Sequence, residues 1–249
     1  MRYLALACDY DGTVATRGRL TDSTIAALER CRASGRRVLL VTGREMEPLR
    51  EVCARLDLFD LIVAENGGLL YEPRTGRGRP LAVSPPPDFV AALRDRGVVP
   101  LSVGRVVVAT RDPYGPVVLD AIRECGLEWQ VTFNKGAVMV LPTGVNKASG
   151  LAAALAELGI SARAVVGVGD AENDHAFLAA CECAVAVANA LPSLKAEADL
   201  VTVGDHGAGV EELIARLLAD DLDSVVAPGP RRPRVVDPSA APPPTAIGG

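Results

Sequence analysis

In the first third of the chain, short apolar runs alternate with amphipathic stretches. Tyr3 to Cys8 is an unbroken apolar run of strand length. Asp22 or Thr21 can cap a helix that carries Ile25, Leu28 and Cys31 and stops at Gly35. Arg37 to Val41 predicts a second buried strand, about Met46 to Leu56 a helix, and Leu61 to Ala64 a third strand. Strand and helix in this alternation imply parallel pairing with right-handed crossovers. The stretch Tyr71 to Pro87, rich in Pro, Gly and Arg, breaks the pattern.

Beyond the break the order changes to helix, strand, strand, twice over. Helices at about Asp88 to Arg96 and Pro116 to Cys125 precede the strand pairs Val98 to Val103 with Arg105 to Thr110, and Glu128 to Phe133 with Ala137 to Leu141. Asn134-Lys135-Gly136 suits a tight hairpin. We read residues 81–143 as an inserted α+β domain with an antiparallel sheet, set between core segments 1–80 and 144–222. From Asn146 the α/β alternation resumes: a helix to Leu158, a strand at Ala162 to Val168, a helix at about Asn173 to Ala180, and a strand at Ala184 to Ala188. A short helix from Pro192, a strand at Asp199 to Val203 and a helix at Ala208 to Leu218 complete it. From Ala227 there are seven prolines in 23 positions, so residues 223–249 are expected to form a disordered tail.

Composition narrows the functional classes. Of 249 residues, 49% are hydrophobic and 4% aromatic, so the core is built from Ala, Val and Leu, as helices on a parallel sheet require. A net charge of −5 argues against a nucleic-acid partner, which needs a concentrated basic face. It leaves a phosphorylated ligand open, because local cations can reverse the sign within a cleft. The six cysteines are scattered without zinc-site spacing and are expected to be buried free thiols. No segment reaches the roughly 20 apolar residues of a membrane span, so a cytoplasmic protein is expected.

Candidate chemistry gathers at strand ends. Asp9 and Asp11, in Asp9-Tyr10-Asp11-Gly12-Thr13, follow the first strand, where open α/β sheets place their ligands. Two residues apart on an extended segment, both carboxyls can face one pocket as nucleophile and proton donor, with a cation to offset their repulsion. An ordinary Asp-rich turn reads the same way. Thr42 and Gly43, in Val41-Thr42-Gly43-Arg44, offer a hydroxyl and an N–H to a phosphate oxygen, or simply a helix cap. Lys147 starts a helix, a poor place for a cation unless it faces an anion or is merely solvated. Gly169-Asp170-Ala171-Glu172-Asn173-Asp174 is an oxygen-rich loop suited to a hard cation such as Mg2+, with Asp170 at the strand tip and Asp174 one turn on. Arg111, Asn134 and Lys135 could reach the distal group of a substrate but read as exposed turn residues. Trp129 reads as core of the insertion rather than a stacking platform, and His175 and His206, conceivable as base or ligand, read as structural or solvent-facing.

These four segments, in this order, resemble the haloacid dehalogenase-like superfamily of phosphohydrolases over essentially residues 3–218. The insertion is similar to the α+β cap of its Cof-type and sucrose-phosphatase-like branch (subclass IIB), and Ala64-Glu65-Asn66-Gly67-Gly68 looks like that branch's third-strand signature. The resemblance implies a Rossmann-like core with a small cap. It implies Asp9 as nucleophile forming an aspartyl-phosphate and Asp11 as acid and base. Mg2+ would be held by Asp9, the Asp11 carbonyl and Asp170, with Asp174 in support. Thr42, Gly43, Lys147 and Asn173 would grip the phosphoryl group. The cap is short for the branch, closest to small-cap phosphoglycolate phosphatases, which implies a small phosphorylated metabolite as substrate. A phosphomutase of the same subclass and a non-catalytic phosphate-binding module are the alternatives; the first would call for a larger cap, the second for loss of Asp9 or Asp11.

Overall fold

A computed structural model describes residues 1–224, so the expected tail, apart from Asp223 and Ser224, lies outside the described residues. β1 (Ala5–Cys8) is buried along its whole length, as an apolar run covered on both faces must be. α1 (Asp22–Ala33) begins where the Thr24 N–H donates to Thr21 Oγ1. β2 (Arg37–Val41) and α2 (Met46–Val52) follow. The second helix stops four residues short of the expected Leu56, and a separate 3-10 turn forms at Leu56–Leu58. After β3 (Leu61–Ala64), the stretch read as a break holds a hairpin, β4 (Leu69–Glu72) and β5 (Arg77–Pro80). Periodicity missed it because β5 is an exposed edge strand of sequence Arg-Gly-Arg-Pro, and an edge is where proline is tolerated.

The inserted segment runs α3 (Pro87–Asp95), β6 (Ser102–Val103), β7 (Val108–Arg111), α4 (Gly115–Glu124), β8 (Trp129–Asn134) and β9 (Ala137–Pro142). Only Ser102 and Val103 of the expected strand at Val98 to Val103 pair, since Pro100 has no ladder donor. The sheet order is β6-β7-β9-β8, antiparallel throughout. One face packs Val108, Val138 and Val140 against Phe89, Leu93, Val118 and Ala121 of the two helices. Trp129, half-buried, packs against this cluster with its ring 5.9 Å from that of Phe89. Ala109, Arg111, Ala137 and Met139 have the opposite parity and lie on the other face, as does Ser102, which pairs with Ala109. That face looks toward the core: Ser102 Oγ donates to Glu45 at 2.5 Å. The β8–β9 link is a two-residue turn, with Lys135 at φ 48° and Gly136 at φ 80°, the left-handed pair a tight hairpin demands.

The chain returns to the core with α5 (Lys147–Leu158), β10 (Val165–Gly169), α6 (His175–Ala180), β11 (Cys183–Ala186), α7 (Pro192–Glu197), β12 (Leu200–Val201) and α8 (His206–Asp220). The core sheet is ordered β12-β11-β10-β1-β2-β3-β4-β5, parallel from β12 to β3. Winding reverses between β1 and β10, so a crevice opens at their carboxyl ends. Five of the six cysteines are buried and none is in a disulfide. Among the described residues no helix is long and apolar enough to cross a membrane.

Glu65 fastens insertion to core. Its buried carboxylate accepts the N–H groups of Arg105, Val106 and Val107 at 2.7 to 3.1 Å. Gly104 is obligatory beside it, since a Cβ there would come within 2.7 Å of the Glu65 carboxylate.

Candidate active site

Asp9 is the first residue past β1, and its N–H donates to Val168 O at 3.0 Å, prolonging the β1–β10 pairing by one step. That step places its side chain at the point where the winding reverses. Gly12 turns the chain at φ 91°; a Cβ here would meet Asp170 Oδ2 at 2.4 Å, so no other residue fits. Thr13 Oγ1 donates to Asp170 Oδ1 at 3.2 Å, and Asn189 Nδ2 to Gly12 O at 2.8 Å, tying the turn to the β10 and β11 loops.

Asp9, Asp170 and Asp174 bring carboxylate oxygens within 4.8 Å of one another, all buried. Lys147 is buried between two of them, its Nζ donating to Asp9 Oδ1 and Asp174 Oδ1 at 2.6 Å each. The cation at a helix start thus faces two anions. Burial alone would depress the Lys147 ammonium; Asp174 and Asp9 outweigh it and hold it well above its usual range. Asp9 goes the other way: burial and then Asp174 push it up to about 7, against the pull of Lys147. Burial also lifts Asp170 above its ordinary value, although Lys135 opposes the rise. Asp174 Oδ2 accepts the N–H groups of Asp170 and Ala171, closing its own loop.

The Asp11 carboxylate stands apart from this cluster, against the expectation that both acids converge. Arg44 holds it through two hydrogen bonds, Nε to Oδ2 at 2.6 Å and Nη2 to Oδ1 at 2.8 Å. The Asp11 carbonyl oxygen does face the cluster, because Lys135 Nζ reaches it at 3.2 Å and Asp170 Oδ2 at 2.7 Å. Thr42 is buried, with Oγ1 accepting the Arg44 N–H. Gly43 lies beside Met139 and Asn173, at 3.3 and 3.6 Å from where its Cβ would stand. Asn173 Nδ2 donates to Asn66 Oδ1, leaving Asn173 Oδ1 buried with no hydrogen-bond partner among the described residues. Thus Asp9, Asp170, Asp174 and Lys147 meet directly, with Asp11, Thr42, Gly43 and Asn173 around them.

Lys135 corrects the sequence reading: it is no idle turn residue but enters the site from the cap. Its signal was a cation at the tip of a Lys-Gly hairpin. Arg44 and Asn189 were also missed, and neither carries a local signal, since both act on partners far away in sequence. The His175 ring pairs with Glu197 and Ser193 and the His206 ring with Asp205, while the His206 N–H donates to Asn189 Oδ1.

The donor set suits a divalent cation. Three buried carboxylates carry more negative charge than Lys147 offsets, and the Lys135 ammonium already rests between Asp170 Oδ2 and the Asp11 carbonyl, where a cation is favoured. All these donors are oxygens, the preference of a hard ion.

A family model of haloacid dehalogenase-like hydrolases matches residues 6–84 and 123–214. The chain is 32% identical over 235 residues to a phosphoglycolate phosphatase of Methanothermobacter thermautotrophicus, covering 86% of this chain and 98% of that protein. Its fold is similar to a haloacid dehalogenase-like hydrolase from Bacteroides thetaiotaomicron, at TM-score 0.70 and 20% identity over 86% and 99% of the two chains. A subclass IIB sugar phosphatase of the same superfamily gives TM-score 0.68 at 20% identity, over 86% and 98%. At such identities the two structures speak for the fold.

Proposed function

The chain belongs to the haloacid dehalogenase-like hydrolases as one of their phosphatases, and from that premise we propose that it hydrolyses a small phosphate monoester through an aspartyl-phosphate on Asp9. One observation carries the reading: the Asp9 carboxylate stands at the crevice with Lys147, Asp170 and Asp174 packed about it. The names of the relatives point to phosphoglycolate or a sugar phosphate.

In this mechanism an Asp9 carboxylate oxygen attacks phosphorus and the bond to the ester oxygen breaks. Asp11 gives its proton to the departing alcohol, exchanging Arg44 for that oxygen as it does so. The Asp11 carboxylate then takes a proton from water, whose oxygen attacks phosphorus and releases phosphate from Asp9. Lys147, Thr42 Oγ1, the Gly43 N–H and the Asn173 amide hold the phosphoryl oxygens throughout, since this chemistry is chiefly positioning and charge neutralisation. Mg2+, held by Asp9, the Asp11 carbonyl and Asp170 with Asp174 behind, would offset the charge of the phosphoryl oxygens.

Phosphate release over phosphoglycolate, sugar phosphates and nucleotides, with and without Mg2+, tests the proposal. Turnover is expected to require the metal and to fall at least about 10³-fold in Asp9→Asn, which keeps the shape and loses the nucleophile. Full activity in that variant would sink the mechanism. Transfer between positions on one sugar without free phosphate would identify a mutase instead.

A further inference from the structure

The cap sheet carries an open cavity of about 650 Å³, lined by residues of the inserted segment, that the mechanism above leaves unused. Its wall includes Ser102, Ala109, Thr110, Arg111, Lys135 and Ala137. Ala109 and Ala137 are small, so the floor leaves room for a ligand. Two cations, Arg111 and Lys135, line it, and the Arg111 guanidinium has no ion-pair or hydrogen-bond partner among the described residues. The acids nearby are Asp112, on the same rim, and Glu45, whose carboxylate is engaged by Ser102. The same Lys135 that lines this cavity touches Asp170 and the Asp11 carbonyl, so one side chain joins the cavity to the reaction centre.

We propose that Lys135, with Arg111 beside it, is the specificity-determining residue that receives the anionic end of a phosphorylated acid. The inference rests on the phosphatase reading. Once Asp170 and the Asp11 carbonyl are taken by a divalent cation, the Lys135 ammonium loses those partners to like-charge repulsion. Lys135 lines the cavity, and the cavity is the space its side chain can enter. There the leaving group departs from phosphorus on the Asp11 side, and a carboxylate at its far end meets two cations. The volume exceeds what a two-carbon acid fills, so selection is by charge rather than by size.

The test compares phosphoglycolate with ethyl phosphate, which has the same carbon count and no carboxylate. Lys135→Met keeps the stem and removes the charge. The ratio of kcat/KM for phosphoglycolate over ethyl phosphate is expected to fall about 10- to 100-fold, the range for a lost charge-assisted hydrogen bond, chiefly through KM. Lys135→Arg should restore part of it. Calorimetric binding of phosphoglycolate to Asp9→Asn, with and without Lys135→Met in the same chain, should show the same loss without turnover. Equal losses on both esters, or no loss in either assay, would overturn the proposal. A wild-type enzyme that hydrolyses esters with no preference for the acid overturns it while leaving the phosphatase reading intact. Should no ester be turned over, that reading fails, and the binding measurement still decides the role of Lys135.

Discussion

At the scale of single residues, Lys147 shows how one side chain sustains both fold and chemistry. It lies buried against two carboxylates, and removing one partner of a buried ion pair leaves the other charges uncompensated. Lys147→Met is expected to lose about 3 kcal/mol of stability at neutral pH without added metal, read from urea unfolding. A loss under about 1 kcal/mol would mean that the two aspartates find other partners. The residues legible in the sequence were those whose chemistry is written in a short segment: the acids after β1, the Thr-Gly pair after β2, the acidic loop after β10. Arg44 and Lys135 were not, because their partners Asp11 and Asp170 come from other segments of the chain and only folding makes them neighbours.

At the scale of elements, α5 delivers Lys147, and two glycines set how close it comes. Gly67, at φ 103°, has no room for a Cβ, which would stand 1.9 Å from Asn146 O at the helix cap. Gly150 sits one turn into the helix, where a Cβ would be 2.4 Å from Val63 Cγ1 and 2.6 Å from Gly67 Cα. Gly150→Ala gains roughly 1 kcal/mol of helix propensity, while overpacking costs about 1–3 kcal/mol. We therefore expect a net lower melting temperature together with a reduced kcat, because the helix that backs away from β3 carries Lys147 with it. Unchanged kcat with a lowered melting temperature would show that the lysine reaches Asp9 from the displaced helix. Elements with strong apolar runs, β1 to β3 and β10, were readable. The β4–β5 hairpin was not, since an exposed edge strand has no buried face to create alternation.

At the scale of the whole molecule, the described chain closes on itself at Asp221. This residue follows α8 in the left-handed region at φ 54° and accepts from Arg36 Nη2 at 2.5 Å and from the Arg2 N–H at 3.0 Å. Burial works to raise the Asp221 carboxyl, but these donors prevail and hold it below its ordinary value. A depressed carboxylate contributes stability above its unfolded pKa of about 3.9 and loses it as pH falls through the folded value. Asp221→Asn, which tolerates the same backbone region, should cost about 1–2 kcal/mol at pH 7. The difference from wild type should shrink as the pH is lowered through about 4 and below. A difference that persists at about pH 3 would assign the effect to shape rather than charge.

The reversal of winding at β1 has a further consequence, one of timing. Asp9 extends a strand whose one neighbour, β2, follows closely, while the other, β10, begins at Val165. A ribosome adding roughly 5–20 residues each second leaves the nucleophile strand half-paired for about 6–25 s, during which the cap sheet, whose pairings are all internal, can already close. The nascent chain can therefore close its lid before its hearth, and the three-aspartate cluster comes into being only after Asp170 and Asp174 have been added.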